Sequence, residues 1–202
     1  LAKNGDLKKM LAELYGKNTG CAKGRGGSMH LIDLPNGFFA AVPIVGSTVA
    51  IAVGLSLSNV KQSLNDLVTV FFGDGATEEG VFFESIDFAI LKNLPMLFIC
   101  ENNFYSVYSN LSVRQSSKRV IHKMVKSHGM TTFSGDGNDV IEVNNLVNKA
   151  LNIIQIKKKP VFLELFTYRW LEHCGPDWDD DLNYRNKEEV KKWLRNCPIK
   201  KL

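Results

Sequence analysis

No stretch of this 202-residue sequence approaches the roughly 20 consecutive apolar residues that a bilayer-spanning helix needs. Runs such as Leu67–Phe72 and Leu94–Cys100 are strand-sized, so no membrane segment is expected. Charge of one sign is also missing. The 25 Lys and Arg are balanced by 21 Asp and Glu, a net of +4, which is too even a mixture for the electrostatic footprint of a nucleic-acid binder. The short basic runs Lys157–Lys159 and Lys200–Lys201 read as solvated faces. Cysteine is scarce: Cys21, Cys100, Cys174 and Cys197 are scattered and form no CxxC pair. A disulfide framework is therefore not expected, and reduced thiols in a cytoplasmic protein are the default. The chain opens at Leu1 without a basic or apolar leader, so no signal peptide is expected and the natural start is read as missing. Repeats, long linkers and low-complexity tracts are absent. What is present is 45% hydrophobic residues, enough to exclude disorder and to build one ordinary globular domain.

Periodicity divides the chain into alternating elements. Leu7–Leu14 has the spacing of a short helix, and Gly16–Gly27, rich in glycine with Lys17, Lys23 and Arg25, is a loop. Val45–Leu57 is small and apolar throughout, which predicts a helix buried on both faces. Leu67–Phe72 is continuously apolar and β-rich, as a central parallel strand should be. Val81–Leu91 reads as a helix and Met96–Cys100 as a second buried strand, together the size of one βαβ unit. Helix Val140–Ile154 and strand Pro160–Leu165 repeat the pattern, and Lys187–Arg195 is a polar helix. The expected class is α/β, a mostly parallel sheet with helices on both faces.

Two strand ends carry chemistry. Gly73-Asp74-Gly75 closes the first strand and Asn102-Asn103 the second, and open α/β sheets bind ligands at the carboxyl ends of their strands. Glycines allow a tight turn that presents N–H groups at a helix N-terminus, which suits phosphate. Asp74 and Asn103 supply hard oxygens, the donors that magnesium prefers. Gly135-Asp136-Gly137 repeats the triplet, but no apolar strand runs into it, so it reads as a plain turn.

The spacing from Gly73-Asp74-Gly75 to Asn102-Asn103 resembles the thiamine diphosphate binding motif. Five blocks extend the likeness across the chain: Gly20-Cys21-Ala22-Lys23-Gly24-Arg25-Gly26-Gly27-Ser28-Met29-His30, Pro43-Ile44-Val45-Gly46, Gly73-Asp74-Gly75-Ala76-Thr77, Cys100-Glu101-Asn102-Asn103-Phe104-Tyr105 and Thr167-Tyr168-Arg169-Trp170. Together they resemble the alpha subunit of the first component of 2-oxo acid dehydrogenases, with its pyruvate, branched-chain and acetoin members.

The resemblance implies a thiamine diphosphate-binding fold over residues 1–202 as a single domain, cut short at both ends, with 171–202 a loop and C-terminal helix extension. It assigns magnesium to Asp74, Asn103 and the main-chain carbonyl of Tyr105. Gly73, Asp74, Gly75 and Ala76 form the diphosphate turn, Gly75 and Ala76 offering amides, and Arg169 clamps the diphosphate. Pro43, Ile44 and Val45 hold the aminopyrimidine ring. His30 and His173 are the active-site histidines, placed to shuttle protons or steady developing charge. A beta subunit completes the site, a lipoyl-bearing acyltransferase receives the acyl group, and a small 2-oxo acid is the substrate. Glu78 and Glu79 are expected to favour a helix N-terminus instead of acting in catalysis. The sequence departs from the family at Leu171-Glu172-His173-Cys174, where Cys174 stands in place of a phosphorylated serine, so kinase control there is not expected. That loop and the acidic run Asp177–Asp181 keep an alternative open: a thiamine diphosphate enzyme of another reaction type, such as transketolase-like carbon transfer or a biosynthetic step.

Overall fold

The structure is a computed structural model that describes all 202 residues, and the chain divides into two compact units, residues 1–48 and 49–202. In the first, α1 (Leu7–Leu14) is capped by Asp6, whose carboxylate accepts the N–H of Lys8 at 2.8 Å and of Lys9 at 3.2 Å. Glu13 on this helix is fully buried and organises the glycine-rich loop. It accepts the N–H groups of Ala22, Gly24 and Gly26 at 2.7, 2.9 and 2.6 Å. Burial pushes its carboxyl up, but the amides of Gly26, Gly24, Ala22 and Gly27 outweigh that and hold it below its ordinary 4.5. Gly24 sits at φ +76° with Gly16 so close that a Cβ would lie 2.6 Å from its carbonyl oxygen, which only glycine permits. A 3₁₀ turn over Leu34–Asn36 completes this unit.

The larger unit is built on a four-stranded sheet, β1 (Val68–Gly73), β2 (Met96–Asn102), β5 (Thr131–Asp136) and β6 (Val161–Phe166), all parallel, in the order β1-β2-β6-β5. Between β2 and β5 the chain forms a small ribbon, β3 (Tyr105–Ser106) with β4 (Ser109–Asn110), then α4 (Leu111–Arg114) and α5 (Ile121–Ser127). The connections β1-α3-β2, through α3 (Gly80–Leu91), and β5-α6-β6, through α6 (Val140–Lys157), run in opposite directions across the sheet. Crossovers of one hand must then lie on opposite faces, which is why the sheet is covered on both.

The strands alternate accordingly. Phe98, Cys100 and Phe162 face α2 (Ser47–Lys61), α3 and α5, among Val53, Phe82, Ile86 and Val125. Leu97, Ile99, Leu163 and Leu165 face α6, against Leu146, Ala150 and Ile154. Phe82, Phe98 and Phe162 are completely buried, each side chain contributing roughly 1.5–3 kcal/mol. A third cluster lies at the carboxyl edge, where α7 (Lys187–Arg195) stacks Trp193 on Tyr168 with centroids 5.3 Å apart, beside Tyr105 and Val190. The short α8 (Pro198–Lys201) follows.

Three sequence expectations are corrected. Gly135-Asp136-Gly137 does follow a strand: β5 carries Thr131-Thr132-Phe133-Ser134-Gly135-Asp136, polar because it is an edge strand packing only Phe133 against α6. β1 is the other edge, not a central strand; Val68, Val70 and Phe72 are buried while Phe71 is 59% exposed. Helix α2 buries one face, Val49, Ala52, Val53 and Ser56, and leaves Ile51 and Val60 exposed.

Candidate active site

The carboxyl ends of β1, β2 and β6 are level, Gly73 opposite Glu101 and Asn102 opposite Phe166 in the register. The Thr167 N–H donates to the Asn102 carbonyl at 3.0 Å, so the chain leaves β6 bound to the end of β2. Three turns therefore emerge side by side.

After Gly73 the chain makes a 3₁₀ turn, Asp74–Glu78, closed by the Thr77 hydroxyl donating to the Asp74 carbonyl at 2.7 Å. The Asp74 side chain is 1% exposed. A carboxylate so buried needs a counter-charge, and Arg114 of α4 supplies it, bridging Asp74 and Glu78 with its two terminal nitrogens. Gln115 donates to Glu78 at 2.6 Å and Arg119 to the Thr77 carbonyl at 2.5 Å, so the segment after α4 straps the turn in place. Gly75 lies under β3, where a Cβ would meet the Ser106 Oγ at 2.9 Å. Glu78 is thus engaged by Arg114 and Gln115, while Glu79 occupies the N-cap position of α3 without a capping bond.

At the end of β2 both asparagines fold onto the backbone ahead. The Asn102 Oδ1 accepts the Phe104 N–H at 3.1 Å and the Asn103 Oδ1 accepts the Tyr105 N–H at 3.0 Å. Phe104 is held at φ +67°. The Tyr105 hydroxyl donates towards Glu189 of α7, at 3.0 Å, and burial, reinforced by Glu189, raises its pKa. Beneath this turn, burial and the charges of Glu164, Asp74 and Glu101 push the Cys100 thiol well above its ordinary value of 9.0, so it stays an inert neutral thiol.

Beyond β6, Arg169 donates to the carbonyls of Leu171 at 2.5 Å and Val107 at 2.8 Å and to the Tyr184 hydroxyl at 3.1 Å, leaving its buried Nε without a partner. Asp179, 3% exposed, receives Arg185 and the Tyr184 hydroxyl. Part of the acidic run is consumed internally, in pinning the loop.

Asp74, Gly75, Ala76, Asn103, Tyr105 and Arg169 therefore all leave the carboxyl edge of one sheet, with His173 exposed in the loop that follows. His30, Pro43, Ile44 and Val45 belong to the smaller unit and are exposed there. Sequence reasoning missed Arg114, Arg119, His122 and Glu164. For Glu164 a signal existed, a lone carboxylate inside the apolar run Val161–Phe166. The arginines gave none, because their partners lie about 40 residues away in sequence.

The profile of the family described as "Dehydrogenase E1 component" matches residues 1–202. This chain belongs to that family. The E1 chain is 38% identical over 192 residues to the pyruvate dehydrogenase E1 component subunit alpha of Rickettsia felis, covering 95% of itself and 58% of that protein. The subunit of the same name from Porphyra purpurea is 34% identical over 209 residues, across 100% of this chain and 60% of the relative. The E1 chain thus spans less than two thirds of the curated relatives it matches. In fold it is similar to transketolase from Campylobacter jejuni, with a TM-score of 0.59 and 18% identity over 79% of this chain and 27% of that one. It is similar too to a thiamin diphosphate-dependent enzyme from Mycobacterium smegmatis, with a TM-score of 0.52 and 19% identity over 66% of this chain and 25% of that one. The architecture is the thiamine diphosphate-binding fold, a mostly parallel sheet between helices. No helix is long and apolar enough to cross a membrane.

Proposed function

We propose that this E1 chain acts as the alpha subunit of a thiamine diphosphate-dependent 2-oxo acid dehydrogenase of the pyruvate type, in the cytoplasm, in oxidative decarboxylation with acyl transfer to a lipoyl group. One observation carries the reading: a buried carboxylate, Asp74, and the Asn103–Tyr105 turn leave the level ends of adjacent parallel strands. The donors fit a magnesium diphosphate. Asp74 is already matched to a cationic group in Arg114, and Asn103 and the Tyr105 carbonyl add hard oxygens. The closely packed turn at Gly75 and Ala76 offers amides, and the Arg169 fork keeps one buried donor without a partner.

When bound, thiamine diphosphate supplies the electron sink that loss of carbon dioxide requires. Around it the chain's own residues bind and orient. Asp74, Asn103 and Tyr105 hold the magnesium, while Gly73, Gly75, Ala76 and Arg169 hold the diphosphate. By the family resemblance, Pro43, Ile44 and Val45 of the smaller unit are the residues for the aminopyrimidine ring, and His30 and His173 are the proton-handling groups. Cys100, protonated in the core, takes no part. A beta subunit supplies the rest of the site, and a lipoyl-bearing acyltransferase accepts the product.

Calorimetric titration of thiamine diphosphate with magnesium, into the chain alone and with a beta subunit, tests this. The expected result is saturable, magnesium-dependent binding that strengthens with the beta subunit and is lost in Asp74→Ala. Well-folded protein that binds in neither mixture refutes the reading.

A further inference from the structure

Glu164 is a carboxylate where the strand pattern asks for an aliphatic side chain. It lies on β6 between Leu163 and Leu165, is 2% exposed, and shares with Phe162 the face turned to α5. Its two oxygens are divided between two elements. Oε1 accepts the Asn102 side-chain amide at 2.7 Å. Oε2 accepts the His122 backbone N–H at 3.0 Å and the His122 ring at 2.5 Å, where Nδ1 carries the hydrogen because a carboxylate only accepts.

Asn102, itself 2% exposed, passes this constraint upward. With its Nδ2 fixed on Glu164, its Oδ1 faces the Phe104 N–H and holds Phe104 at φ +67°, a conformation that a bulky side chain disfavours. The next bond, from the Tyr105 N–H to Asn103, completes the turn. A glutamine at 164 could not replace the carboxylate. Its NH₂ would face either the Asn102 amide or the His122 donors, and Asn102 could not flip to compensate without losing Phe104.

We infer that Glu164, fixed by His122, is a positioning residue for the Asn102–Tyr105 turn and hence for the divalent-cation site formed with Asn103 and the Tyr105 carbonyl. The inference rests on the cation reading above and extends it to a pair beneath the turn.

The test titrates magnesium with thiamine diphosphate, by calorimetry, into the full chain co-purified with a pyruvate dehydrogenase E1 beta subunit. It is run at a temperature where circular dichroism shows every variant folded. Glu164→Gln and Asn102→Asp are each expected to weaken magnesium about tenfold or more, the usual effect of losing a group that orients a ligand. The double variant Asn102→Asp/Glu164→Gln exchanges donor and acceptor, so the introduced amide donates to the introduced carboxylate while its oxygen still accepts from His122. Affinity within about threefold of wild type is expected there, as a cycle of coupled residues predicts. A purely structural role lowers the melting temperature of Glu164→Gln and leaves magnesium affinity unchanged, and that result overturns the inference. A double variant as weak as the worse single does so too. If Glu164→Gln does not fold, His122→Ala, which removes one donor, is read instead. Weakening by about threefold supports the inference and wild-type affinity overturns it. Asn103→Ala separates the two levels: magnesium binding that survives it, or fails in wild type, refutes the cation reading and with it the inference that rests on it, whatever the Glu164 variants do.

Discussion

Gly73-Asp74-Gly75 leaves β1 and Gly135-Asp136-Gly137 leaves β5, the two outer strands of one parallel sheet, at the same edge. The tripeptides are identical and their surroundings are not. Asp74 is 1% exposed and neutralised by Arg114, reached from a strap that also holds Glu78 and Thr77. Asp136 is 32% exposed, accepts the Asn138 N–H at 2.8 Å, and pairs with Lys201 of α8 at 2.5 Å. Asp74 also stands beside β2, whose end carries the two asparagines. Asp136 stands beside β6 and faces the C-terminal helices. Both triplets are strand-end turns, and it is the groups brought from distant segments that make one a buried, strapped turn and the other an exposed tether.

That contrast can be broken by substitution. Asp74→Ala is expected to weaken magnesium-dependent thiamine diphosphate binding about 100-fold or more, near 2.7 kcal/mol, while Asp136→Ala stays within about twofold, both by calorimetry. Equal losses would erase the distinction. Arg114→Met leaves a buried carboxylate unpaired and should cost about 3 kcal/mol of stability in urea unfolding without magnesium, with added magnesium restoring more than it does in wild type. Asp139, which caps α6 by accepting the N–H of Ile141 and Glu142, marks the second triplet as structural. Asp139→Ala should cost about 1 kcal/mol by the same assay and leave cofactor affinity unchanged.

The smallest effect is at Lys201, whose pair with Asp136 is one-third exposed; Lys201→Ala should cost no more than about 0.5 kcal/mol. Burial raises the Asp136 pKa, but the Lys201 hydrogen bond and the Asn138 amide together bring it below 3.8. A depressed folded pKa means stability that is present above the unfolded value and lost as pH falls through the folded one. The difference between wild type and Asp136→Asn should therefore shrink on acidification below about pH 4, in urea unfolding across pH 3–6.

Elements whose burial is uniform or regularly periodic were legible in the sequence. β2, β6, α3 and α6 announce themselves as apolar runs or 3.6-residue periods, and their bounds move by only a few residues. β5 was not legible, because an edge strand half in water spells Thr-Thr-Phe-Ser-Gly-Asp like a loop. The uncovered side of α2 was hidden for the opposite reason: small apolar residues read the same whether or not a neighbour packs on them. At the candidate site, the strand-end placement of Asp74 and Asn103 was legible because each sits in a local turn. Arg114, His122 and Glu164 were not, since their meaning lies in partners about 40 to 60 positions away that only the strand order brings near.

The strand order β1-β2-β6-β5 also divides the sheet into two halves that are each local in sequence. β1-α3-β2 and β5-α6-β6 are βαβ units whose paired strands lie about 30 residues apart in sequence. The seam between β2 and β6 joins residues as distant as Asn102 and Glu164, 62 positions apart, so its closure carries the larger loop entropy. The asparagine turn sits at the top of that seam, so its bond to Glu164 exists only where the two halves meet.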